Sequence, residues 1–271
     1  MLGGTALNVA SVVAALGAKP ALVSLVAQDA AGIGLREELT KRGIVAHVDG
    51  STGANTGTYT CMIEPDGSLL VGMADMAIYE DFSAREFAPL AGSLSVKDWI
   101  CVDTNLPPKQ MQRLLQLSSA RKVGLTVSKA KAPRLKIFAD QLDLVFTNRV
   151  EVCSLCGFDD AATETKSNES IATALQQMGI TSAVISDGTH NVTVIEPEKI
   201  QIIKVSPVKY VADVTGAGDA LVGAALFALM CDTPLANAVE FGIKAAQATI
   251  QSKGALRSDL AKLIGLSGRA L

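Results

Sequence analysis

Strand-like and helix-like patterns alternate along most of this chain, and no other feature constrains its fold so strongly. Residues 5–16 read as a helix stopped by Gly17, and "ALVSLVA" (21–27) as a buried strand. "AGIGLREELTKRG" follows as an amphipathic helix ending at Gly43, a residue suited to the left-handed position after a helix. Further on, "DWICVD" (98–103) is a strand, Pro107 to Ala120 a proline-started helix, and "KVGLTV" (122–127) another strand. "LDLVFTN" (142–148) precedes a helix, "TSAVIS" (181–186) follows one, and "HNVTVIE" and "QIIKVS" read as a hairpin pair. Two long helices, 217–230 and about 234–251, and a short one near the C-terminus complete the pattern. Such a chain folds as a mostly parallel sheet with helices on both faces. One interruption stands out at about 44–77, where "VAHVDG", "GTYTCMIE" and "SLLVGMAD" are short alternating stretches. Pro65-Asp66-Gly67 joins the last two as a turn, so a small β lid is expected inside a single domain spanning residues 1–271.

Composition excludes several classes of function. Hydrophobic residues make up 49% of the 271, enough for a large core, and the net charge of -3 argues against a basic nucleic-acid-binding face. The apolar runs are interrupted by Gly, Thr or Asn and are too short to span a bilayer, so neither nucleic acid nor membrane is an expected partner. "MLGGTALNVASVVAALGAKP" is apolar enough to mimic a signal peptide, but its first Lys is residue 19, behind the apolar stretch. It reads as the opening of a helix, and a cytoplasmic location is expected. The five cysteines (61, 101, 153, 156 and 231) sit mostly in apolar surroundings, as reduced thiols do. Cys153 and Cys156 form a C-x-x-C with no second pair and no nearby His, and read as two helical thiols in a packed segment. His47, in a lid strand, and His190, in a turn, read as surface residues, and Trp99 as core.

The chemistry concentrates in Asp213-Val-Thr-Gly-Ala-Gly-Asp219, which runs directly into the apolar helix "ALVGAALFALM". Gly216 and Gly218 let the backbone approach a ligand, while free N–H groups of a first helical turn carry the positive end of the helix dipole. That is an anion hole suited to phosphate. Asp219 beside it can take the proton of an attacking hydroxyl, the base role in phosphoryl transfer. The spacing alone is equally compatible with an Asp cap and glycines that admit close helix packing. Neither G-x-x-x-x-G-K-[ST] nor a helix-opening G-x-G-x-x-G is present.

"DVTGAGDALVGAAL" closely resembles the second signature of the PfkB, or ribokinase-like, carbohydrate and nucleoside kinases, and the likeness extends over nearly the whole chain. "GGTALNVA" (3–10) resembles the first signature, and "VAQDAAGIGLREELTKRGI" the G-x-D-x-x-G segment, with Ala27 at the first glycine. "TNRVE" (147–151) resembles the N-x-x-E motif, and "SDGTHNV" (186–192) the strand-turn-strand near the nucleotide, with Asn191 where a glycine is usual. The resemblance implies a three-layer α/β/α fold with ATP and Mg²⁺ as donor and cofactor. It makes Asp219 the base, with Gly216, Ala217 and Gly218 as the backbone anion hole. Asn148 and Glu151 would hold Mg²⁺ through water, and Ser186, Gly188 and Thr215 would join them around the nucleotide. Asp213 and Thr215 fall where the family often has a loop for a monovalent cation such as K⁺, whose other half is not legible in "ATIQSKGAL" (248–256).

"GMADMAIYE" (72–80), "VDTNLPP" (102–108) and "TVSKAKAPRL" (126–135) resemble the pseudouridine kinase branch. The implied reaction carries the ATP γ-phosphate to the ribose 5′-hydroxyl of pseudouridine. Gly3, Gly4 and Asn8 would hold the ribose, Thr58 and Tyr59 of the lid would cover the base, and Asn105 would face the pocket. Met73 and Met76 read as lid packing. A kinase of another sugar or nucleoside is the second reading. The family ordinarily carries a strand with a sugar-binding Asp before "GG…N", and this chain starts at Met1-Leu2-Gly3-Gly4. Either the sequence is truncated there or the pocket lacks that acid, and the latter brings a third reading, an impaired nucleoside- or nucleotide-binding protein. Lids of this family often pair between subunits, so a homodimer is the expected assembly.

Overall fold

The structure is a computed structural model that describes residues 3–51, 53–63, 69–81, 90, 93–116, 119–159, 163, 165–252 and 259–263. Its centre is a six-stranded sheet in the order β10-β9-β8-β7-β6-β5. The strands are β5 (Trp99–Asp103), β6 (Arg121–Leu125), β7 (Leu144–Asn148), β8 (Ala183–Asp187), β9 (Asn191–Glu196) and β10 (Lys199–Lys204). β5 to β8 are parallel, whereas β9 and β10 add an antiparallel meander at one edge.

Side chains alternate across this sheet, and each face has its own core. Val145 and Ile185 join one apolar cluster, while Leu144, Phe146 and Val184 join the other. That period of two is what a strand buried on both faces requires. The first face is covered by α3 (Pro108–Gln116), a 3-10 segment (Ala132–Gln141), α4 (Arg149–Cys156) and α5 (Asn168–Gln177), which supply Leu115, Phe138, Val152 and Ile171. The second face is covered by α1 (Thr5–Ala15), α6 (Ala217–Met230) and α7 (Leu235–Ile250), through Val9, Leu226 and Val239. A short α8 (Leu260–Leu263) buries Leu260 beside α1 and α6.

Local sequence explains the helix ends. Asn148 caps α4 by accepting from the Glu151 amide, Ser167 caps α5, and Asp29 caps α2 (Ala30–Lys41). Gly157 closes α4 in the left-handed conformation, φ 78°. The 3-10 segment has little local signal, because "KAPRLKIFAD" has no strong 3.6-residue period, and its Phe138 leaves helical geometry at φ -137°.

The excursion at about 44–77 divides. β2 (Val45–Ser51) pairs in parallel with β1 (Ala21–Ala27), the two joined through α2 as a strand-helix-strand unit. Only β3 (Thr58–Ile63) and β4 (Leu69–Asp75) form an antiparallel two-stranded sheet of their own. His47 therefore lies opposite Val23 in the β1–β2 pair and not in the hairpin. The Pro65-Asp66-Gly67 turn falls outside the described residues. The hairpin is anchored at both ends. Thr56 donates to Asp29 through its amide and its hydroxyl, at 2.8 and 2.6 Å, and the Tyr79 hydroxyl lies 3.1 Å from Ser24 Oγ.

Candidate active site

The carboxyl ends of β6, β7 and β8 open into a cavity of about 190 Å³ whose lining includes Thr126, Asn148, Glu151, Ser186, Gly218 and Asp219. Helix α6 enters it with Gly216 as cap residue at φ 78°, a left-handed conformation that a side chain would strain. The first turn is only partly spoken for. The Ala217 amide points to the Val214 carbonyl at 3.3 Å and that of Ala220 to Gly216 at 2.8 Å. No carbonyl among the described residues accepts from Gly218 or Asp219. Of the three amides that open the helix, that of Ala217 thus has a carbonyl partner, whereas those of Gly218 and Asp219 have none among the described residues. A Cβ built on Gly218 would meet nothing within 4 Å, so this glycine does not serve helix packing. Close packing falls instead to Gly223, whose Cβ would come within 2.7 Å of Val12 on α1.

Asp219 sits in the third position of α6 and accepts from Nδ2 of Asn8, on α1, at 2.7 Å. Burial raises its pKa from 3.8 to about 6, with the Asn8 hydrogen bond opposing the rise and the Asp103 charge adding to it. Asn8 is itself buried, and its Oδ1 has no hydrogen-bond partner among the described residues. An amide packed in this way needs a donor from a ligand or from water. Gly4, at φ 113°, is the cap residue of α1, and Gly3 beside it is exposed with nothing near its Cβ position.

Glu151 lies buried in the first turn of α4 and accepts a short hydrogen bond from the Thr126 hydroxyl. Thr126 is in turn 2.9 Å from the Thr147 hydroxyl. Thr147 in turn donates to the Asn148 backbone carbonyl at 3.3 Å, so the three residues form one buried polar network. Thr126 opens the stretch "TVSKAKAPRL", but its contact with Glu151 emerges only where β6 and β7 lie side by side. The Asn148 side-chain oxygen, Oδ1, accepts from the Glu151 amide at 2.9 Å, so this residue organises the helix entrance directly. Ser186, at the end of β8, donates to the Thr147 carbonyl at 3.4 Å.

Other residues singled out in the sequence lie outside the cavity lining. Gly188 is in the exposed β8–β9 turn at φ 53°. Asp213 accepts from the Thr215 amide at 2.8 Å, and the amides of Ala212 and Asp213 both donate to Ile250 at the end of α7. Residues 253–258, opposite this loop in the expected cation site, fall outside the described residues. Thr58 opens the hairpin opposite Asp75, and the Tyr59 ring lies over Gly72 of the same hairpin. Asn105 is held on both sides, by the Lys131 ammonium at 2.8 Å and by Asp103. Cys153 and Cys156 are packed in α4. Burial raises both thiols, Cys156 to about 11. Among the described residues no cluster of three His, Cys, Asp or Glu side chains could hold a metal ion.

Residues 1–262 match the profile of the pfkB family carbohydrate kinase. The chain belongs to that family. It is accordingly a sugar or nucleoside kinase, an ATP-dependent phosphotransferase. This kinase is 27% identical over 264 residues to the ribokinase of Haemophilus influenzae, covering 94% of this chain and 83% of that protein. It is 27% identical over 246 residues to the pseudouridine kinase of Escherichia coli, covering 88% and 76%. Among solved structures it resembles a carbohydrate kinase from Agrobacterium tumefaciens, with TM-score 0.79 and 26% identity over 97% and 86% of the two chains. The ribokinase of Giardia lamblia shares the fold, with TM-score 0.82 at 17% identity over 97% and 88%. The kinase therefore has the ribokinase-like three-layer α/β/α fold expected from its motifs. No helix among the described residues is long and apolar enough to cross a membrane.

Proposed function

We propose that this kinase transfers the γ-phosphate of ATP to the 5′-hydroxyl of pseudouridine, giving pseudouridine 5′-phosphate. The observation that carries the chemical part is the Asn8–Asp219 contact of 2.7 Å beside the unengaged amides of Gly218 and Asp219. In this reading Asp219 takes the proton of the attacking hydroxyl while those amides and Gly216 receive the transferred phosphate oxygens. A pKa near 6 leaves Asp219 ionised at neutral pH and still basic enough to accept that proton. Gly3, Gly4 and the free Oδ1 of Asn8 would hold the ribose, with Thr58 and Tyr59 closing over the base.

The donor set fits Mg²⁺ brought in by the nucleotide. Asn148 and Glu151 line the cavity and would hold Mg²⁺ through water, as suits an ion that keeps most of its water and binds phosphate oxygens. Bound there, Mg²⁺ supplies charge neutralisation along the phosphates. Asn148, Ser186, Gly188 and Thr215 would complete the nucleotide side, and Asp213 and Thr215 would border a monovalent-cation loop. A cytoplasmic location goes with ATP as donor. Tyr59, Met62, Leu70 and Met73 are more than half or about half exposed on the hairpin, which favours a homodimer closed through the β lid. A dimer that persists in sedimentation after Met62→Lys and Leu70→Lys would remove the lid from that contact.

Pseudouridine is favoured by the three stretches "GMADMAIYE", "VDTNLPP" and "TVSKAKAPRL". A coupled assay with a panel of acceptors tests the assignment, and turnover of ribose without turnover of pseudouridine overturns it. ATP or pseudouridine binding without turnover would instead support the reading as an impaired binder.

A further inference from the structure

Helix α1 opens without a cap of its own. Its cap residue is Gly4, which has no side chain to offer, and its first turn carries no acid. The first amides of a helix have no carbonyl within it and take an acceptor from elsewhere. Here one comes from the end of β5, where the Asp103 carboxyl accepts from the Ala6 amide. Asp103 is itself held in place. It accepts from the Asn105 amide at 2.8 Å, and the Arg134 guanidinium grips the loop beyond by the carbonyls of Thr104, Asn105 and Leu106 at 3.1, 3.1 and 3.2 Å. Burial pushes the Asp103 carboxyl up, while the two amides and the Lys131 ammonium pull it back. Arg134 stands behind Lys131, and the other titratable groups that face Asp103 are Tyr79, in the 3-10 turn Ala77–Asp81, and Asp219 on α6.

Resting on the reading of Asp219 as the base, we propose that Asp103 is a positioning residue for catalysis: by capping α1 at Ala6 it sets the helix so that Asn8 holds Asp219. Ala6 and Asn8 belong to one helical turn, which the Asn8 amide closes on the Gly4 carbonyl at 2.9 Å, so the two move together. With that turn intact, Asn8 Nδ2 lies 2.7 Å from the Asp219 carboxylate. Helix ends fray where their amides lack acceptors, and fraying at Ala6 would carry Asn8 away from the base. Packing fixes α1 further along, where Val9 and Val12 press on Gly223 of α6, and the Asp103 bond fixes its entrance. An ionisable side chain withdrawn from water is costly unless its hydrogen bonds are met. Those of Asp103 are met by α1 and by its own loop.

Steady-state kinetics of the full chain test this in a double-mutant cycle of Asp103→Ala and Asn8→Leu, with ATP and whichever of pseudouridine and ribose the wild type turns over faster. Asp103→Ala should lower kcat about tenfold or more, since a misplacement of about 1 Å among reacting groups costs up to about 10²-fold, and KM for ATP should stay within about twofold. In the Asn8→Leu background the same substitution should change kcat by less than about twofold, because the contact it protects is already gone. Asp103→Asn keeps an accepting oxygen without the charge, so it should recover most of the loss. An Asp103→Ala loss of equal size in both backgrounds overturns the proposal, as does a wild-type kcat in Asp103→Ala. If circular dichroism shows Asp103→Ala unfolded, Asp103→Asn carries the cycle. Its weaker acceptor should cost about threefold with Asn8 present and nothing without it, and a loss that persists in Asn8→Leu overturns the proposal. The two readings fail separately. Full activity in Asp219→Asn removes the base reading. An inactive Asp219→Asn, together with independent effects at positions 103 and 8, refutes only the role of Asp103.

Discussion

Asn8 and Asp219 meet at 2.7 Å although 211 positions separate them in the chain. The contact joins the first turn of α1 to the first turn of α6, so the base candidate is oriented by a different helix from the one that carries it.

Asp219→Asn should lower kcat by about 10² to 10⁴-fold, the range for loss of a general base, while ATP binding measured by calorimetry persists. The same variant should be more heat-stable than the wild type at pH 8. Burial raises the folded pKa of Asp219 from 3.8 to about 6, so its contribution to stability is full below pH 3.8 and is lost as pH rises through 6. Removing the charge restores that loss at pH 8. The advantage in Tm should shrink between pH 6 and pH 4, where the wild-type carboxyl takes up its proton.

The pH profile of kcat/KM should rise with unit slope below about pH 6 and level off above it. Because the Asn8 hydrogen bond holds the carboxyl down, Asn8→Leu should move the midpoint to higher pH as well as weaken acceptor binding. A midpoint unchanged in Asn8→Leu would detach the pair from the titration.

Thr126→Val should destabilise the protein by about 1–3 kcal/mol in urea unfolding, since a buried Glu151 oxygen and the Thr147 hydroxyl lose their shared partner. The Mg²⁺ concentration for half-maximal activity should rise, and Thr126→Ser should recover both properties.

Gly218→Ala and Gly223→Ala separate ligand approach from packing. At Gly218 a methyl group has open space within 4 Å, so stability should hold while KM for ATP rises. At Gly223 it would press on Val12 at 2.7 Å and on the Val9 carbonyl at 2.9 Å. Overpacking of that kind costs about 1–3 kcal/mol. Unfolding midpoints and ATP kinetics, measured together, should move in opposite variants.

Much of the site was legible because its parts are local. "DVTGAGD" places glycines and an acid in one helical turn, and "TNRVE" places Asn148 and Glu151 as cap and first-turn residue, so short spacings carried the geometry. The βα alternation likewise announced the parallel sheet, since each strand and helix declares its own period. Asp103, Thr126, Lys131 and Arg134 fall in stretches that carry a resemblance, "VDTNLPP" and "TVSKAKAPRL", but their contacts were not legible there. Their partners lie on neighbouring strands and loops, and no spacing within one segment encodes that.

By itself, then, the sequence determined the elements, their order and the chemistry of each strand end, all set by interactions within a few residues. Tertiary structure decided which ends meet. It turned β2 away from the hairpin and onto β1, brought Asn8 to Asp219, and set Asn105 between Lys131 and Asp103. The physical reason is that pairing between distant segments follows from burying apolar faces in common, and a carboxylate takes its environment from whatever that packing sets beside it.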